Sequence, residues 1–130
     1  MGEIFLKETV DYYLQALNVY QHPDAYYNLA NLYKDFGKFN EAIKYYNKSI
    51  EIKEDHECFC NLGVCYYNIL DDIKALECFE KALELNPNDY ISLFNKGNAL
   101  HSLGRYEETE ECYKMAETLI DDMDMLEPYF

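Results

Sequence analysis

Positive charge is scarce in this sequence. Eleven Lys and Arg side chains stand against 25 Asp and Glu side chains, which gives a formal net charge of −14 at pH 7. A chain with this charge is repelled by the phosphates of nucleic acids and by anionic lipid headgroups. We therefore expect neither a nucleic acid nor a membrane among its partners.

Long hydrophobic runs are also missing. No apolar stretch approaches the roughly 18 to 20 residues that a membrane-spanning helix needs, and residues 1–6 lack the basic start and apolar length of a signal peptide. The five cysteines are an odd number, which argues against a disulfide-bonded secreted scaffold. These features predict an intracellular, cytoplasmic protein with reduced thiols.

Catalytic motifs are absent from the sequence. It contains no GxSxG, no glycine-rich phosphate loop, no HExxH and no EF-hand loop, and His22, His56 and His101 are spread along the chain. No combination of acid, base and nucleophile can be assembled from these residues. We therefore expect no enzymatic activity and no cofactor.

A zinc site is a more specific alternative to a chain without chemical activity. His56, Cys58, Cys60 and Cys65 are ligand types that zinc prefers. On one helix, however, Cys58 points well away from Cys60, so the four side chains do not converge. Free cysteine is often a small apolar core residue, and the sequence predicts buried thiols and no metal.

The sequence does contain an internal repeat. It is long enough for one domain, and its 49% hydrophobic and 16% aromatic residues can fill a core. Residues 26–33 (YYNLANLY), 59–66 (FCNLGVCY) and 93–100 (LFNKGNAL) match one another at offsets of 33 and 34. Residues 41–52, 74–85 and 108–119 match in the same way, with an aromatic residue between small ones. The chain is therefore a tandem array of similar units.

Each half of a repeat has the periodicity of an α-helix. Apolar and small residues fall at positions i, i+3, i+4 and i+7, which places them on one helix face. Gly37 and Gly104 are placed to end the first helices, and Asn40 and Asp72 are placed to cap the second ones. Each unit is therefore predicted to be two helices joined by a turn.

This pattern resembles the tetratricopeptide repeat, a helix–turn–helix unit of 34 residues. Residues 56–89 carry the consensus in register at Phe59, Leu62, Gly63, Tyr66, Ala75, Phe79, Ala82 and Pro87. Residues 23–55 and 90–123 match less completely, and residues 4–20 align with a second helix alone. The resemblance implies a single all-α domain over residues 1–130, a superhelical solenoid of about 3.5 units and seven helices with a tail at 124–130.

The resemblance also implies a binding surface. In this family, one face of each first helix lines a concave groove that holds a partner peptide. The residues at these places are Tyr27, Asn28, Asn31, Asn61, Val64, Tyr67, Phe94, Asn95, Asn98 and His101. The recurring amides could pair with the backbone of an extended peptide. Two alternatives stay open: the large side chains pack against the next repeat, and the amides tie neighbouring helices together.

One ligand class of the family is disfavoured. Carboxylate-clamp members hold the acidic C-terminus of heat-shock chaperones with Lys, Asn and Arg side chains. Asn31 and Asn61 match that pattern, but Tyr27, Ile91 and Asn95 occupy the places of cations. An acidic peptide would therefore find few groups to offset its desolvation.

The two ends of the array suggest an alternative function. Between Glu107 and Glu127 there are nine carboxylates and one lysine, so we expect the last helix to fray where its dipole meets Asp121, Asp122 and Asp124. An apolar tail, residues 125–130, follows, and both ends of the stack are predicted to be poorly capped. The sequence thus predicts a non-catalytic adaptor that binds a protein or peptide in its groove, or alternatively a homo-oligomerisation module.

Overall fold

The structure is a computed structural model that describes residues 2–19 and 22–126. Seven α-helices and no β-strand lie within these residues. The helices are α1 (Gly2–Val19), α2 (Pro23–Asp35), α3 (Phe39–Ile52), α4 (His56–Asn68), α5 (Asp72–Leu85), α6 (Tyr90–Ser102) and α7 (Tyr106–Leu126). This confirms the predicted all-α repeat fold.

The helices stack as three antiparallel pairs behind a single leading helix. α2 packs on α3, α4 on α5 and α6 on α7, and successive pairs join through α3 with α4 and α5 with α6. Within the described residues, α1 packs on α2 alone. The core is correspondingly extended, with one buried cluster running from α1 to α4 and a second from α4 to α7. No helix of the described chain is both long and apolar enough to cross a bilayer.

Small residues allow the two helices of each pair to approach closely. A Cβ atom added at Gly63 would lie 2.5 Å from the Phe79 ring, and one added at Gly97 would lie 2.5 Å from the Tyr113 ring. Ala30 occupies the equivalent place in α2 and is completely buried. The recurring small residue is therefore a steric requirement of the pair.

The turn inside each pair needs a residue in the left-handed conformation. Gly37 and Gly104 have φ values of +74° and +79°, as their predicted positions after a helix end require. The middle pair places Leu70 there, with φ +67°. An L-residue with a Cβ is strained in this region, so the middle turn is less favourable than its two counterparts.

The predicted caps of the second helices were wrong by one or two residues. The residue before α3 is Lys38 rather than Asn40, and its side chain makes no capping bond. The residue before α5 is Asp71 rather than Asp72, and its carboxylate accepts from the Lys74 N–H at 3.2 Å. The left-handed residue reverses the chain abruptly, so that each second helix begins two positions after it.

The last helix differs from its prediction in two ways. α7 continues through Leu126, although fraying was expected at Asp121 and a tail from residue 124; residues 127–130 lie outside the described part of the chain. Its outer face also carries exposed carboxylates, Glu110 and Glu117, at the places where the earlier second helices have apolar residues that pack on the next repeat. Among the described residues, this face of α7 therefore carries charge where the earlier second helices have apolar side chains.

Candidate functional site

The first helices of the pairs lie on the inner side of the curved stack. α2 contacts α4 and α4 contacts α6, whereas α3, α5 and α7 make no contact with one another in the described structure. In a curved stack, successive repeats lie closest together on the inner side, so the helices that contact each other across repeats are the inner ones. The faces of α2, α4 and α6 that carry the predicted residues therefore line the concave surface.

Apolar side chains are exposed on this surface. Phe94 is 52% exposed although its ring stacks at 4.9 Å on Tyr113, and Ile91, one helical turn before it on α6, is 53% exposed. His101 is exposed further along the same helix and meets the edge of Tyr106 at 5.1 Å. α6 thus presents three exposed side chains that belong to neither buried cluster.

Tyr27 and Asn61 join α2 to α4. The Asn61 Nδ2 donates to the Tyr27 hydroxyl at 2.9 Å, and Asn61 Oδ1 accepts from Lys34 Nζ at 3.1 Å. The Tyr27 ring packs at 5.9 Å against Tyr46, and burial raises the pKa of the Tyr27 phenol, which keeps it neutral. Asn61 therefore holds two repeats together through both ends of its amide.

The other two recurring amides differ from Asn61 and from each other. Asn95 Nδ2 lies 3.6 Å from the Cys60 sulfur of the preceding repeat, which is a weak contact. Asn28 is exposed on α2. Of the predicted amide row, Asn28 is thus the member whose side chain faces solvent most openly.

Asn31 and Asn98 bond within their own repeat. The Tyr46 hydroxyl of α3 donates to Asn31 Oδ1, and the Tyr113 hydroxyl of α7 donates to Asn98 Oδ1 at 2.5 Å. These amides therefore bond across the interface between the first and second helices, at the edge of the groove.

The middle repeat replaces this pair by apolar residues. Val64 stands where the other repeats have Asn, and Phe79 stands where they have Tyr. Tyr67 is half-buried, and its hydroxyl accepts from Ser102 at 3.3 Å. Val64 and Tyr67 both pack on the second core cluster, so they present less free surface than Phe94.

A depression of about 380 Å³ opens on the concave side where α4 and α6 begin. Tyr27, Asn61 and Ile91 line it, together with Glu57 and with Met123 from the end of α7. Met123 was not among the predicted residues, because it lies at the end of α7, beyond Asp121, where fraying was expected. A second depression of the same volume lies on the outer side of the stack, between α3, α4 and α5, away from all predicted residues.

The mouth of the groove is acidic. Glu57 is exposed, while Asp89 is mostly buried and accepts from His56 Nδ1 at 2.9 Å and from the Ser92 hydroxyl at 2.7 Å. Burial alone would raise the pKa of Asp89, but the hydrogen bonds from His56 and Ser92 outweigh it and hold the pKa below the ordinary value. Asp89 therefore stays ionised at neutral pH and joins the last two repeats.

The cysteines are packing residues of low reactivity. Cys58, Cys60, Cys65 and Cys112 are buried and Cys78 is half-buried, all as free thiols. Burial raises the pKa of Cys58 and Cys78 to about 12 and that of Cys65 to about 11. Thiols with such pKa values are protonated at neutral pH, and no group of three potential metal ligands occurs in the described chain.

Comparison with solved structures places this geometry among known folds. MamA superposes with a TM-score of 0.87 at 18% identity, over 92% of this chain and 71% of that one. The second TPR of Spaghetti (RPAP3), solved with the HSP90 peptide SRMEEVD, gives 0.74 at 20% identity, over 81% and 98%. BtubC (BKLC) from P. vanneervenii gives 0.81 at 22% identity, over 92% and 58%. At these identities the likeness shows the fold alone.

Comparison with sequence families is more specific. No curated protein matches the sequence. A tetratricopeptide repeat model matches residues 23–56 and again 56–89, and a second model of the same description matches residues 78–111. These matches span residues 23–111, which is more than half of the chain, so the protein belongs to the tetratricopeptide repeat family.

Proposed function

We propose that the protein is a non-catalytic interaction module that holds a peptide segment of a partner protein in its concave groove. The observation that carries this proposal is the half-exposed pair Ile91 and Phe94 beside a depression of about 380 Å³. Large apolar side chains that remain exposed next to a concavity are typical of binding surfaces. The protein in the solved structure with SRMEEVD uses the same fold to hold a peptide, which supports a peptide as the ligand class.

The chemistry of the groove favours a ligand that is not acidic. Glu57 and Asp89 lie at its mouth, and Lys34 is already hydrogen-bonded to Asn61. A ligand carboxylate would be repelled by the first two groups and would share Lys34 with the Asn61 amide. The ligand that fits is an extended segment with an apolar side chain for the depression and a neutral or basic residue beside it.

The predicted contact residues take different parts in this proposal. Phe94, Tyr27 and Ile91 provide apolar contact, with Met123 added from the structure, and Asn28 offers a free amide to the ligand backbone. The remaining predicted residues form the walls and ends of the groove: Asn31, Asn61, Val64, Tyr67, Asn95, Asn98 and His101. Several of these amides already bond inside the protein, and each keeps spare hydrogen-bonding capacity toward a ligand.

The test uses peptides selected from a displayed library of random 12-residue sequences. Selected peptides are measured by fluorescence anisotropy against the wild type and against the double variant Ile91→Ala, Phe94→Ala. Loss of two central apolar anchors should weaken binding at least tenfold, since hot-spot truncations cost more than about 1.4 kcal/mol. The selected sequences should contain few Asp and Glu residues.

A matched control keeps the number of lost apolar groups equal. Ile73 on α5 and Met115 on α7 are 63% and 56% exposed, and neither lies on the concave face. The variant Ile73→Ala, Met115→Ala should bind the same peptides as the wild type does, with equal helicity by circular dichroism. Equal binding by the groove variant and the wild type would refute the groove as the site.

A further inference from the structure

The leading helix α1 retains the residues of a second helix, and within the described residues no first helix packs on them. Thr9, Tyr12, Tyr13 and Ala16 are 33 positions before the matching residues of α3, which are Ala42, Tyr45, Tyr46 and Ser49. All four residues of α3 are buried. The same positions of α1 therefore show which side chains a first helix would cover.

α2 covers this face of α3 through specific contacts. The Tyr45 ring stacks on Tyr33 at 5.7 Å and on Tyr26 at 6.3 Å. The Tyr46 hydroxyl donates to an α2 amide, and the Ser49 hydroxyl donates to the Pro23 carbonyl at 2.9 Å. Aromatic stacking and two hydrogen bonds thus accompany the close approach of the two helices.

The corresponding face of α1 is open. Tyr12 is 70% exposed and Ala16 is exposed, while Thr9 and Tyr13 are half-buried. The Tyr13 hydroxyl donates to no residue of the described chain, in contrast to Tyr46. Nearer the start of α1, Ile4 is exposed, and Phe5 is exposed although it stacks at 6.4 Å on Phe36, which directly follows α2.

The adjoining face of α1 packs on the helix that follows it. Leu6, Val10 and Leu17 are buried against α2, and the equivalent Ile43 and Ile50 of α3 are half-buried in the same cluster. At the other end of the stack, α7 carries Glu110 and Glu117 in these places. Among the described residues, these positions are thus charged and exposed on α7 but apolar and buried on α1.

We propose that the Thr9–Tyr12–Tyr13–Ala16 face binds an amphipathic helix of a partner protein, which takes the place of a first helix. The interface continues one that this chain builds three times, so its chemistry can be stated. The partner helix carries Ala or Gly beneath the Tyr13 ring and, in the next position, Asn to accept from the Tyr13 hydroxyl. Aromatic residues four before and three after the small residue stack on Tyr12, as Tyr26 and Tyr33 do around Ala30.

The internal repeats sharpen the expected specificity. Where the second helix has Tyr, the first helix has Asn, as in Tyr46 with Asn31; where it has Phe79, the first helix has Val64. Changing Tyr13 to Phe should therefore change the preferred partner residue from Asn to Val. A nonspecific apolar contact would not respond in this way.

The probe is a synthetic peptide with the sequence of residues 22–37, labelled with fluorescein. A covalent staple replaces the exposed Asp24 and Asn28 side chains and holds the peptide helical, because a free helix of this length is marginal in water. Binding to the full chain is measured by anisotropy, and we expect a dissociation constant below about 100 μM. No binding at about 1 mM would overturn the proposal.

Two variants of α1 separate this face from the rest of the helix. Ala16→Arg places a long side chain in the path of the partner helix and should weaken binding at least about tenfold. Gln15→Arg is the matched control, since position 15 is exposed and its counterpart in α3 is Lys48; it should leave binding unchanged. Equal affinities of the two variants would refute the assignment of the face.

The partner-residue swap and the groove variant complete the test. Tyr13→Phe should bind the probe carrying Asn31→Val at least about threefold better than the unchanged probe, with the reverse order for the wild type. Ile91→Ala, Phe94→Ala should bind the probe as the wild type does, which keeps this proposal independent of the groove. A dimer that Ala16→Arg dissociates in sedimentation experiments would overturn the proposal in favour of a second copy as the occupant.

Discussion

Replacing Asn31 by valine should destabilise the protein through a residue on another helix. Tyr46 is completely buried, and its hydroxyl donates to Asn31 Oδ1 across the α2–α3 interface. Burial raises the pKa of the Tyr46 phenol above its ordinary value, so the hydroxyl remains a donor at any ordinary pH. Valine would leave that donor buried with no acceptor.

The expected magnitude follows from the cost of an unsatisfied buried group. Asn31→Val should lower the free energy of unfolding by about 1–3 kcal/mol, and Tyr46→Phe by about 1 kcal/mol, since the half-buried amide can still reach water. The double variant reproduces the Val64 and Phe79 pair of the middle repeat. It should therefore lie within about 0.5 kcal/mol of the wild type.

The assay is urea denaturation of the four proteins, followed by circular dichroism. The cycle should give a coupling energy of at least about 1.5 kcal/mol, with unchanged denaturant slopes. Asn31 also lies within hydrogen-bonding reach of the Tyr27 hydroxyl, but any effect on Tyr27 is common to Asn31→Val and the double variant, so it cancels in the coupling energy. Additive single effects, with a coupling below about 0.5 kcal/mol, would refute the interpretation that Tyr and Asn act as one unit.

Two further predictions concern the turn and the repeat junction. Leu70→Gly should raise the free energy of unfolding by roughly 0.5–1 kcal/mol, because Leu70 is 85% exposed and has φ +67°. The control Ile69→Gly, at φ −93°, should lower the free energy of unfolding. An unchanged melting temperature in Leu70→Gly would contradict the inference that Leu70 is strained. Asp89→Asn should destabilise the protein by about 1–2 kcal/mol at pH 7. The folded-state pKa of Asp89 is lowered, so this stabilisation is present above the unfolded value near 3.8 and is lost as the pH falls through the folded value. Denaturation of the wild type and Asp89→Asn at pH 7 and at pH 2 checks this prediction. A difference in unfolding free energy between the two proteins that is larger at pH 2 than at pH 7 would contradict the prediction.

Much of the fold could be predicted from the sequence, because local periodicity reports the environment of each helix face. The alternation of small and aromatic residues at Gly63 and Phe79 repeats often enough to define the helix pairs and their register. Gly37 and Gly104 marked two of the three turns. The third turn was invisible, since Leu70 has no preference for the left-handed conformation that its surroundings impose.

The candidate site was predictable only in part. The sequence implied that Tyr27 and Phe94 lie on the concave side, through its resemblance to the repeat family. It did not distinguish amides that bond internally, such as Asn61, from one that is exposed, such as Asn28. Hydrogen-bond partners 27 to 35 residues apart depend on how successive repeats rotate on one another, and no local pattern encodes that rotation.

The sequence by itself determined the repeating unit, its helices and the family. The reason is that each unit forms its own backbone hydrogen bonds and buries its own stripe of apolar and small side chains. Only the tertiary structure decided where that burial stops. It showed that the outer face of α7 carries exposed carboxylates, whereas α1 has Tyr12 and Ala16 exposed in the described part of the chain. Which side chains remain exposed is a property of neighbouring helices in space, and it is settled when the stack forms.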